Sequence, residues 1–202
     1  MSDVAFHEQL IDRIARGFGL RISRISSSGK NLPAEVTQGD HLLIEQVQPY
    51  TMTSPERLWS LIEGVRFVIQ EDLVGDFVEC GVWRGGSVMA MALQLNQLGV
   101  SDRNLWLYDT FTGMTEPTDV DVESGTGKRA SDLLRTTDVG DGNNIWCVAG
   151  RTGVEANIAS TGYPMDLVNF VEGDVSETLR RTTPSQVALL RLDTDWYEST
   201  KS

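Results

Sequence analysis

From residue 75 onward, short apolar runs alternate with segments of helical pattern, and this alternation restricts the chain to one class of fold. Parallel strands cannot be joined by a tight turn, so each pair needs a crossover connection, which is usually a helix. We therefore predict an α/β fold in which crossover helices connect the strands of a parallel sheet. The four strands are expected at residues 75–80, 104–109, 167–174 and 186–193.

The fourth expected strand ends at residue 193, close to the last residue of the chain, Ser202. A doubly wound sheet ordinarily continues with further strands on the other side of its switch point. Without them, one side of the sheet is an exposed edge, which is prone to aggregation. We therefore expect that C-terminal strands are missing and that the chain is a truncated member of a group of longer proteins.

The residues before the expected sheet divide into two parts. Residues 3–17 carry apolar side chains at helical spacing, which predicts a short amphipathic helix, whereas the Ser- and Gly-rich residues 22–40 are typical of a loop or linker. A second helix is predicted from Pro55, because a serine precedes it and proline suits the first helical position. We assign residues 1–47 to an N-terminal helix and flexible segment, and residues 48–202 to the domain that contains the sheet.

Composition excludes several classes of function. The chain has 17 basic and 29 acidic side chains, a net charge of −12, and nucleic-acid binding needs clustered Lys and Arg, so we expect no nucleic-acid partner. No apolar run approaches the roughly 20 residues that cross a bilayer, and the N-terminus lacks the pattern of a secretory signal, so we expect no membrane partner. Two cysteines cannot form a disulfide framework, which indicates a cytoplasmic protein. A homo-oligomeric state is left open.

The segment VECGVWRGGS (78–87) is the first candidate for ligand binding. It places the carboxylate of Glu79 at the tip of the first strand and a turn containing Gly81 and Gly85 before the next helix. Glycine allows a cofactor to approach the backbone closely, and a helix N-terminus offers N–H groups to an anion. Glu79 is suited to hold the ammonium of an amino-acid moiety. The alternative is a helix-entry turn without a ligand, and the spacing departs from the dinucleotide motif GxGxxG.

Acidic residues also end the other three strands. Asp109 ends the second, where a carboxylate in a nucleotide-binding sheet accepts hydrogen bonds from ribose hydroxyls; the alternative is a cap or loop aspartate. Gly173 and Asp174 end the third, where the base of a ligand would rest, although this pair is also ordinary in turns. Asp193 and Asp195 follow the fourth strand and suggest a hard divalent cation such as Mg²⁺, with a solvated acidic turn as an equal alternative.

Some reactive residue types are not assigned to a site. Cys80 and Cys147 are interpreted as small core residues rather than nucleophiles. His7 and His41 lie far upstream of the strand ends and are interpreted as surface residues. The acidic stretch TEPTDVDVE (115–123) is interpreted as a solvated loop in preference to a substrate loop.

Five motifs follow one another in the same order as in a known family. They are PYTMTSPERLWSLIEGVRFV, DFVECGVWRGGSVMAMA, LWLYDTFTGM, FVEGDVSETL and ALLRLDTDWYEST. In this combination, over roughly residues 48–201, the chain resembles the macrocin O-methyltransferase (TylF/MycF-type) family. The resemblance implies a Rossmann-like class I methyltransferase fold that uses S-adenosylmethionine to methylate a hydroxyl of a sugar or other small natural product.

The resemblance also implies roles for individual residues. The segment that closes over the cofactor corresponds to Thr51, Met52 and Thr53, and the glycine turn to Glu79, Gly81, Val82, Trp83 and Gly85. The ribose-binding acid corresponds to Asp109, followed by Thr110 and Phe111. The adenine-side loop corresponds to Gly173, Asp174 and Ser176. Asp193 matches the first metal-binding aspartate, which implies Mg²⁺ as a second cofactor. The family's later pair of aspartates has no counterpart up to Ser202, and its histidine base has none between residues 110 and 170, so the catalytic base is unassigned.

The implied reaction is a methyl transfer to a small-molecule hydroxyl acceptor. On this resemblance Mg²⁺ would acidify the acceptor hydroxyl and an unassigned base would take its proton, while the oxygen attacks the methyl group in line and the methyl–sulfur bond breaks. Two other functions remain open. A truncated remnant would bind the cofactor without turnover or serve as an assembly partner, and a nucleotide-dependent oxidoreductase would bind a dinucleotide instead.

Overall fold

Strands and helices alternate from residue 76 onward, as the apolar pattern predicts. A computed structural model of the protein describes residues 32–123, 125–136 and 147–201. Ala34–Ser202 form one unit by their contacts. The helix expected at residues 3–17 lies outside the described part of the chain. None of the helices in the described part has the length and apolar character needed to cross a membrane.

The centre of the fold is a sheet of four parallel strands in the order β3-β2-β1-β4. The strands are β1 (Asp76–Cys80), β2 (Leu105–Asp109), β3 (Val168–Glu172) and β4 (Val187–Leu192). After β3 the chain returns across the sheet to pair with the other side of β1. The strand order therefore reverses between β1 and β4, and in open sheets of this kind ligands bind at the carboxyl ends beside that point.

Three helices pack against one another, two of them before β1 in the chain and one directly after it. They are α1 (Gln38–Val47), α2 (Pro55–Gln70) and α3 (Gly86–Gln97), and a short 3₁₀ helix, Gln48–Tyr50, follows α1. The buried side chains of α2 recur at spacings of three and four, which places them on one face of the helix. They are Leu58, Ile62, Val65 and Val68.

A buried ion pair holds α1 against α2. Asp40 is fully buried, forms a capping box with Thr37 at the start of α1, and pairs with Arg66 of α2. Arg66 also pairs with Glu63 and donates a 3.3 Å hydrogen bond to Oε1 of Gln94 in α3. Burial works against ionisation of Asp40, but the hydrogen bonds from Arg66 and Thr37 outweigh it and lower the pKa of this carboxyl.

The remaining helices are short and lie between or after the later strands. They are α4 (Ala130–Thr136), α5 (Arg151–Ala159), the 3₁₀ helix Met165–Leu167, α6 (Val175–Thr178) and α7 (Tyr197–Lys201). Within the described residues no strand pairs with the outer side of β4, where Leu190 and Leu192 are 55% and 48% exposed.

Two elements differ from the sequence expectations. The stretch 22–40, expected to be a linker, ends in the first turn of α1, because Thr37 and Asp40 cap a helix whose apolar residues pack on α2 and α3. The domain boundary expected at residue 48 thus lies inside the unit that begins at Ala34. Later in the chain, α5 ends at Ala159, before the chain turns at Gly162, which has a positive φ.

Candidate functional site

A cavity of about 290 Å³ opens at the carboxyl ends of all four strands. Most of the residues predicted to bind a cofactor or metal line it. They are Thr51, Met52, Thr53, Glu79, Gly81, Val82, Trp83, Asp109, Thr110, Gly173, Asp174, Asp193 and Asp195. Three other predicted residues do not line it, namely Gly85, Phe111 and Ser176.

The turn between β1 and α3 requires glycine where it meets the residue after β4. Gly81 has a φ of +84°, and a Cβ atom there would lie 2.8 Å from the carbonyl carbon of Asp193. Gly85 is the N-cap residue of α3 with a φ of +86°, while Trp83 adopts a φ of +49° although it has a side chain. The turn therefore brings the end of β1 directly against the backbone beyond β4.

Asp109, at the end of β2, holds this turn in place. Its Oδ2 accepts hydrogen bonds from the backbone N–H groups of Val82 (2.6 Å) and Trp83 (3.1 Å). Its Oδ1 accepts a 2.8 Å hydrogen bond from the N–H of Phe111, whose φ is +53°. Three backbone donors thus converge on one carboxylate, which lines the cavity at the same time.

The residues after β3 form the next part of the cavity wall. Gly173 has a φ of +137°, and its N–H donates to the carbonyl oxygen of Asp109 (2.9 Å). Asp174 is the N-cap of α6, where its Oδ1 accepts from both the N–H (2.8 Å) and the hydroxyl (2.6 Å) of Ser176. Ser176 therefore supports the cap and stays outside the cavity lining. Phe111, which also does not line the cavity, is buried and packs on Phe170, with 5.9 Å between ring centroids.

Glu79 is the most deeply buried acidic group of the cavity. Its carboxylate is 1% exposed and pairs through Oε1 with the guanidinium of Arg191, which lies opposite it on β4. The same guanidinium donates to the hydroxyl of Thr53 (2.8 Å) and to Oδ2 of Asp193 (2.9 Å). Among the described residues, Oε2 of Glu79 is buried without a hydrogen-bond partner.

Burial raises the pKa of Glu79 to about 8. The Arg191 guanidinium opposes this shift, whereas the carboxylates of Asp193 and Asp109 add to it. A cation bound beside the unpartnered oxygen would favour the ionised form of Glu79, since an opposite charge lowers the pKa of a carboxyl.

The free energy of unfolding is expected to fall as the pH rises from about 5 to 8, because Glu79 binds a proton on folding in this range. Its pKa is about 8 in the folded protein, against an ordinary value of 4.5, so the folded state holds more protons than the unfolded one. One such group contributes a slope of at most about 1.4 kcal/mol per pH unit. Urea unfolding at both ends of the range measures it. Glu79→Gln should show a smaller decline, and an equal decline would contradict the assignment.

Two aspartates and a cysteine form the rim of the cavity beyond β4. Asp193 is half exposed, while burial and the neighbouring Asp193 carboxylate raise the pKa of Asp195. The apolar neighbours of Cys147 in sequence led to the expectation of a core residue, and this expectation is wrong. Cys147 has a φ of +49° and lines the cavity. Burial, with the Asp195 carboxylate, raises the pKa of its thiol to about 12, which keeps it protonated. In the described part of the chain, no group of three or more His, Cys, Asp or Glu side chains is arranged to hold a metal ion.

The β2 loop (residues 110–123) is fixed at its far end rather than solvated throughout. Asp121 is 6% exposed; its Oδ1 accepts from the N–H of Tyr197 (2.8 Å), and its Oδ2 from the N–H (2.7 Å) and hydroxyl (2.9 Å) of Thr118. Trp196 Nε1 donates to the carbonyl oxygen of Thr115 (2.9 Å). Burial opposes ionisation of Asp121, but these donors outweigh it and lower its pKa. The expectation of a solvated loop is therefore wrong at Asp121.

Sequence reasoning missed several residues of the cavity wall. They are Arg57, Ser87, Tyr108, Gly113, Met114, Thr115, Cys147, Val175, Thr194, Trp196 and Ser199. It also missed Arg191, which contacts three of the predicted residues. A signal was available, because Arg191 stands two residues before Asp193 and a strand places alternate residues on one face.

The comparison with protein families and curated sequences gives consistent matches. The family model of macrocin-O-methyltransferase (TylF) matches residues 45–202. The 8-demethyl-8-(2,3-dimethoxy-alpha-L-rhamnosyl)-tetracenomycin-C 4'-O-methyltransferase of Streptomyces olivaceus is 35% identical over 151 residues, 75% of this chain and 54% of the relative. The demethyldecarbamoylnovobiocin O-methyltransferase of Streptomyces niveus is 33% identical over the same shares of the two chains. The chain spans about half the length of these curated relatives.

Solved structures show the same fold. The O-methyltransferase NovP superposes with a TM-score of 0.62 at 26% identity, over 98% of this chain and 76% of NovP. The calicheamicin methyltransferase CalS11 has a TM-score of 0.51 at 23% identity, over 88% of this chain and 77% of CalS11. The expectation of a Rossmann-like α/β methyltransferase fold is thereby confirmed.

Proposed function

Because the chain belongs to the macrocin O-methyltransferase family, we propose that it carries out S-adenosylmethionine-dependent methylation of a hydroxyl on a sugar or other small natural product. The relatives support this choice of chemistry. One is named for the 4'-O-methylation of a rhamnosyl-tetracenomycin, and the other as the O-methyltransferase of demethyldecarbamoylnovobiocin.

The observation that carries the proposal is the unpartnered, buried Oε2 of Glu79 in the cavity wall. A buried polar atom without a partner is costly, so such an atom beside a cavity is well suited to a ligand that donates hydrogen bonds to it. The methionine part of S-adenosylmethionine carries an α-ammonium group. This group would supply both the missing donor and the opposite charge that favours ionised Glu79.

Asp109 is suited to the ribose of the same cofactor. A carboxylate has about four acceptor sites, and backbone N–H groups occupy two at Oδ2 and one at Oδ1. The remaining site at Oδ1 is available to a ribose hydroxyl. On this proposal, the bonds that hold the turn also fix the orientation of the carboxylate toward the cofactor.

When bound, S-adenosylmethionine supplies a methyl group activated by its positive sulfur. The chain's own residues then contribute position, because an in-line transfer depends on the alignment of the acceptor oxygen with the methyl group. Met114, Thr115 and Trp196 line the cavity at the β2 loop and after β4, and we assign the acceptor to this side.

Mg²⁺ is the second cofactor of the proposal. Mg²⁺ is commonly held by one or two carboxylates together with water, so the Asp193 and Asp195 pair fits part of its shell. Oδ2 of Asp193 already accepts a hydrogen bond from Arg191, which leaves Oδ1 of Asp193 and the carboxylate of Asp195 as ligands for the ion. There the ion would supply Lewis-acid polarisation of the acceptor hydroxyl.

Isothermal titration with S-adenosylhomocysteine tests the cofactor site. The wild-type chain is expected to bind saturably, and Glu79→Gln to bind at least about tenfold more weakly, since it removes the anionic acceptor while keeping the size of the side chain. Glu177→Gln is the matched control, because Glu177 is exposed and pairs with Arg181 on the surface, and it should bind like the wild type. A folded wild-type chain that does not bind would contradict the proposal.

Methyl transfer assays then separate the alternatives. The Mg²⁺-assisted enzyme is supported by two results together. A glycosylated acceptor is methylated and chelation abolishes the methylation, and Asp193→Asn reduces the rate by a larger factor than it reduces the affinity for the cofactor. Binding of S-adenosylhomocysteine without any turnover supports the cofactor-binding remnant or assembly partner. Binding of a dinucleotide in its place supports the oxidoreductase.

A further inference from the structure

We propose that Arg191 is a positioning residue that holds the Thr51–Thr53 segment over the cofactor cavity and thereby slows release of the bound cofactor. This inference rests on the proposed function and adds a residue and a role to it. Arg191 does not line the cavity; it acts through Thr53, which does.

The geometry places Arg191 between the sheet and the segment. Its side chain is 14% exposed and lies across from Glu79, the residue paired with it in the β1–β4 register. Nη1 donates to Oε1 of Glu79, while Nη2 donates to the hydroxyl of Thr53 (2.8 Å) and to Asp193 (2.9 Å). The two carboxylates therefore fix the guanidinium on the sheet, and one of its donors extends to the segment.

The hydrogen bonds that the segment forms by itself are local. Nε2 of Gln48 donates to the carbonyl oxygens of Thr51 (3.4 Å) and Thr53 (3.1 Å), and the N–H of Thr53 donates to the hydroxyl of Thr51 (3.0 Å). Among the hydrogen bonds shown for the described residues, the bond from Arg191 is the one that connects this segment to the sheet.

Close packing brings the segment to its position but does not tie it there. A Cβ atom on Gly86 would lie 2.7 Å from the Cβ of Thr51 and 2.7 Å from the carbonyl group of Tyr50, so the backbone before the segment lies against the start of α3. Met52, at the middle of the segment, is 53% exposed. Packing on one side and solvent on the other leave the Thr53 hydroxyl as the polar anchor of the segment.

Arginine is suited to this task in a way that lysine is not. Its planar guanidinium presents several donors in a fixed fork, so that it binds two carboxylates and a hydroxyl at once without changing its conformation. A lysine ammonium is a single point of charge on a flexible stem. Thr51, Met52 and Thr53 all line the cavity, so on this proposal a ligand leaves past the segment, and the movement that lets it out breaks the Arg191–Thr53 bond.

Stopped-flow release of S-adenosylhomocysteine, followed by tryptophan fluorescence, tests this role. Thr53→Val keeps the shape of the side chain but removes the acceptor, and release is expected to be about tenfold faster, as for the loss of one charge-assisted hydrogen bond, with little change in the association rate. Thr53→Ser restores the hydroxyl and should restore the slow release. A change in packing alone would not be corrected by serine.

A double-mutant cycle connects the effect to Arg191. Thr53→Val should have no further effect on release in an Arg191→Met background, since the bond is already absent there. Arg181→Met removes an exposed arginine outside the site and should release like the wild type. If Arg191→Met does not fold, the comparison of Val, Ser and Thr at position 53 decides alone.

The outcomes distinguish the two proposals. A wild-type protein that binds S-adenosylhomocysteine, with Thr53→Val releasing it at the wild-type rate, overturns the role of Arg191 and leaves the cofactor site intact. A wild-type protein that does not bind S-adenosylhomocysteine overturns the cofactor site, and the role of Arg191 with it.

Discussion

Gly81→Ala is expected to lower the free energy of unfolding by about 3 kcal/mol or more and to abolish binding of S-adenosylhomocysteine. Gly81 has a φ of +84°, and a Cβ atom there would lie 2.8 Å from the carbonyl carbon of Asp193, with the Asp193 carbonyl oxygen nearer still. The left-handed conformation costs about 1–2 kcal/mol for a residue with a side chain, and overpacking adds about 1–3 kcal/mol. The new Cβ atom is attached directly to the backbone and meets the backbone carbonyl of Asp193, so no side-chain rotation can relieve the contact. The end of β1 would have to move away from Asp193, the residue that carries the proposed metal carboxylate.

Gly99→Ala is the control for the conformational part of this cost. Gly99 has a φ of +70°, but no atom lies within 4 Å of the position that its Cβ would take. It should therefore lose only about 1–2 kcal/mol and keep its affinity for S-adenosylhomocysteine. Chemical denaturation of the two variants gives the difference, which reports the close approach at Gly81. Equal losses in both would show that the contact with Asp193 is unimportant.

Asp109→Ala is expected to lower the free energy of unfolding by about 3 kcal/mol, because it leaves three backbone N–H groups without their acceptor. Trp83 and Phe111 are two of these donors, and both have positive φ values that local preferences do not favour. Without the carboxylate, the turn after β1 loses the contact that holds it. Urea unfolding measures the loss. Asp119→Ala, which removes an exposed carboxylate paired with Arg129, should change stability by less than about 0.5 kcal/mol.

A second comparison separates support of the turn from binding of the ribose. The wild type and Asp109→Asn are titrated with S-adenosylhomocysteine and with its 2'-deoxy and 3'-deoxy analogues. If Asp109 accepts from a ribose hydroxyl, removal of that hydroxyl should weaken binding to the wild type by about 1–3 kcal/mol and have little effect on the variant. Equal effects on both proteins would leave Asp109 with the turn alone.

The strands were predictable because each is short, apolar and bounded by turn residues. β1 begins one residue after the expected start and β2 likewise, and both end where the sequence places Cys80 and Asp109. The same pattern located most of the cavity, since parallel strands bring their carboxyl ends to one edge of the sheet. Residues at those ends, such as Glu79 and Asp193, therefore lie together although they are far apart in sequence.

The contacts of Arg191 depend on information that local pattern does not contain. Its pairing with Glu79 arises because β4 returns to the free side of β1 instead of adding beside β3, and strand order is decided by the packing of the whole sheet. Cys147 shows a different limit. Its apolar neighbours in sequence are typical of a core, yet it has a positive φ and lies in the cavity wall. Hydrophobic periodicity predicts helices and strands, but it does not predict the conformation of irregular backbone.

The buried carboxylate of Asp121 has a consequence for anyone who wishes to redesign the specificity of this site. It joins the β2 loop to the N–H of Tyr197, so the loop and the start of α7 share one anchor. A graft that exchanges the whole loop with that of a relative would remove this anchor unless an aspartate is kept at position 121 with threonine at 118. Exchanges limited to Met114 and Thr115 leave the anchor in place, and on the proposed placement of the acceptor they are the starting library for changing it.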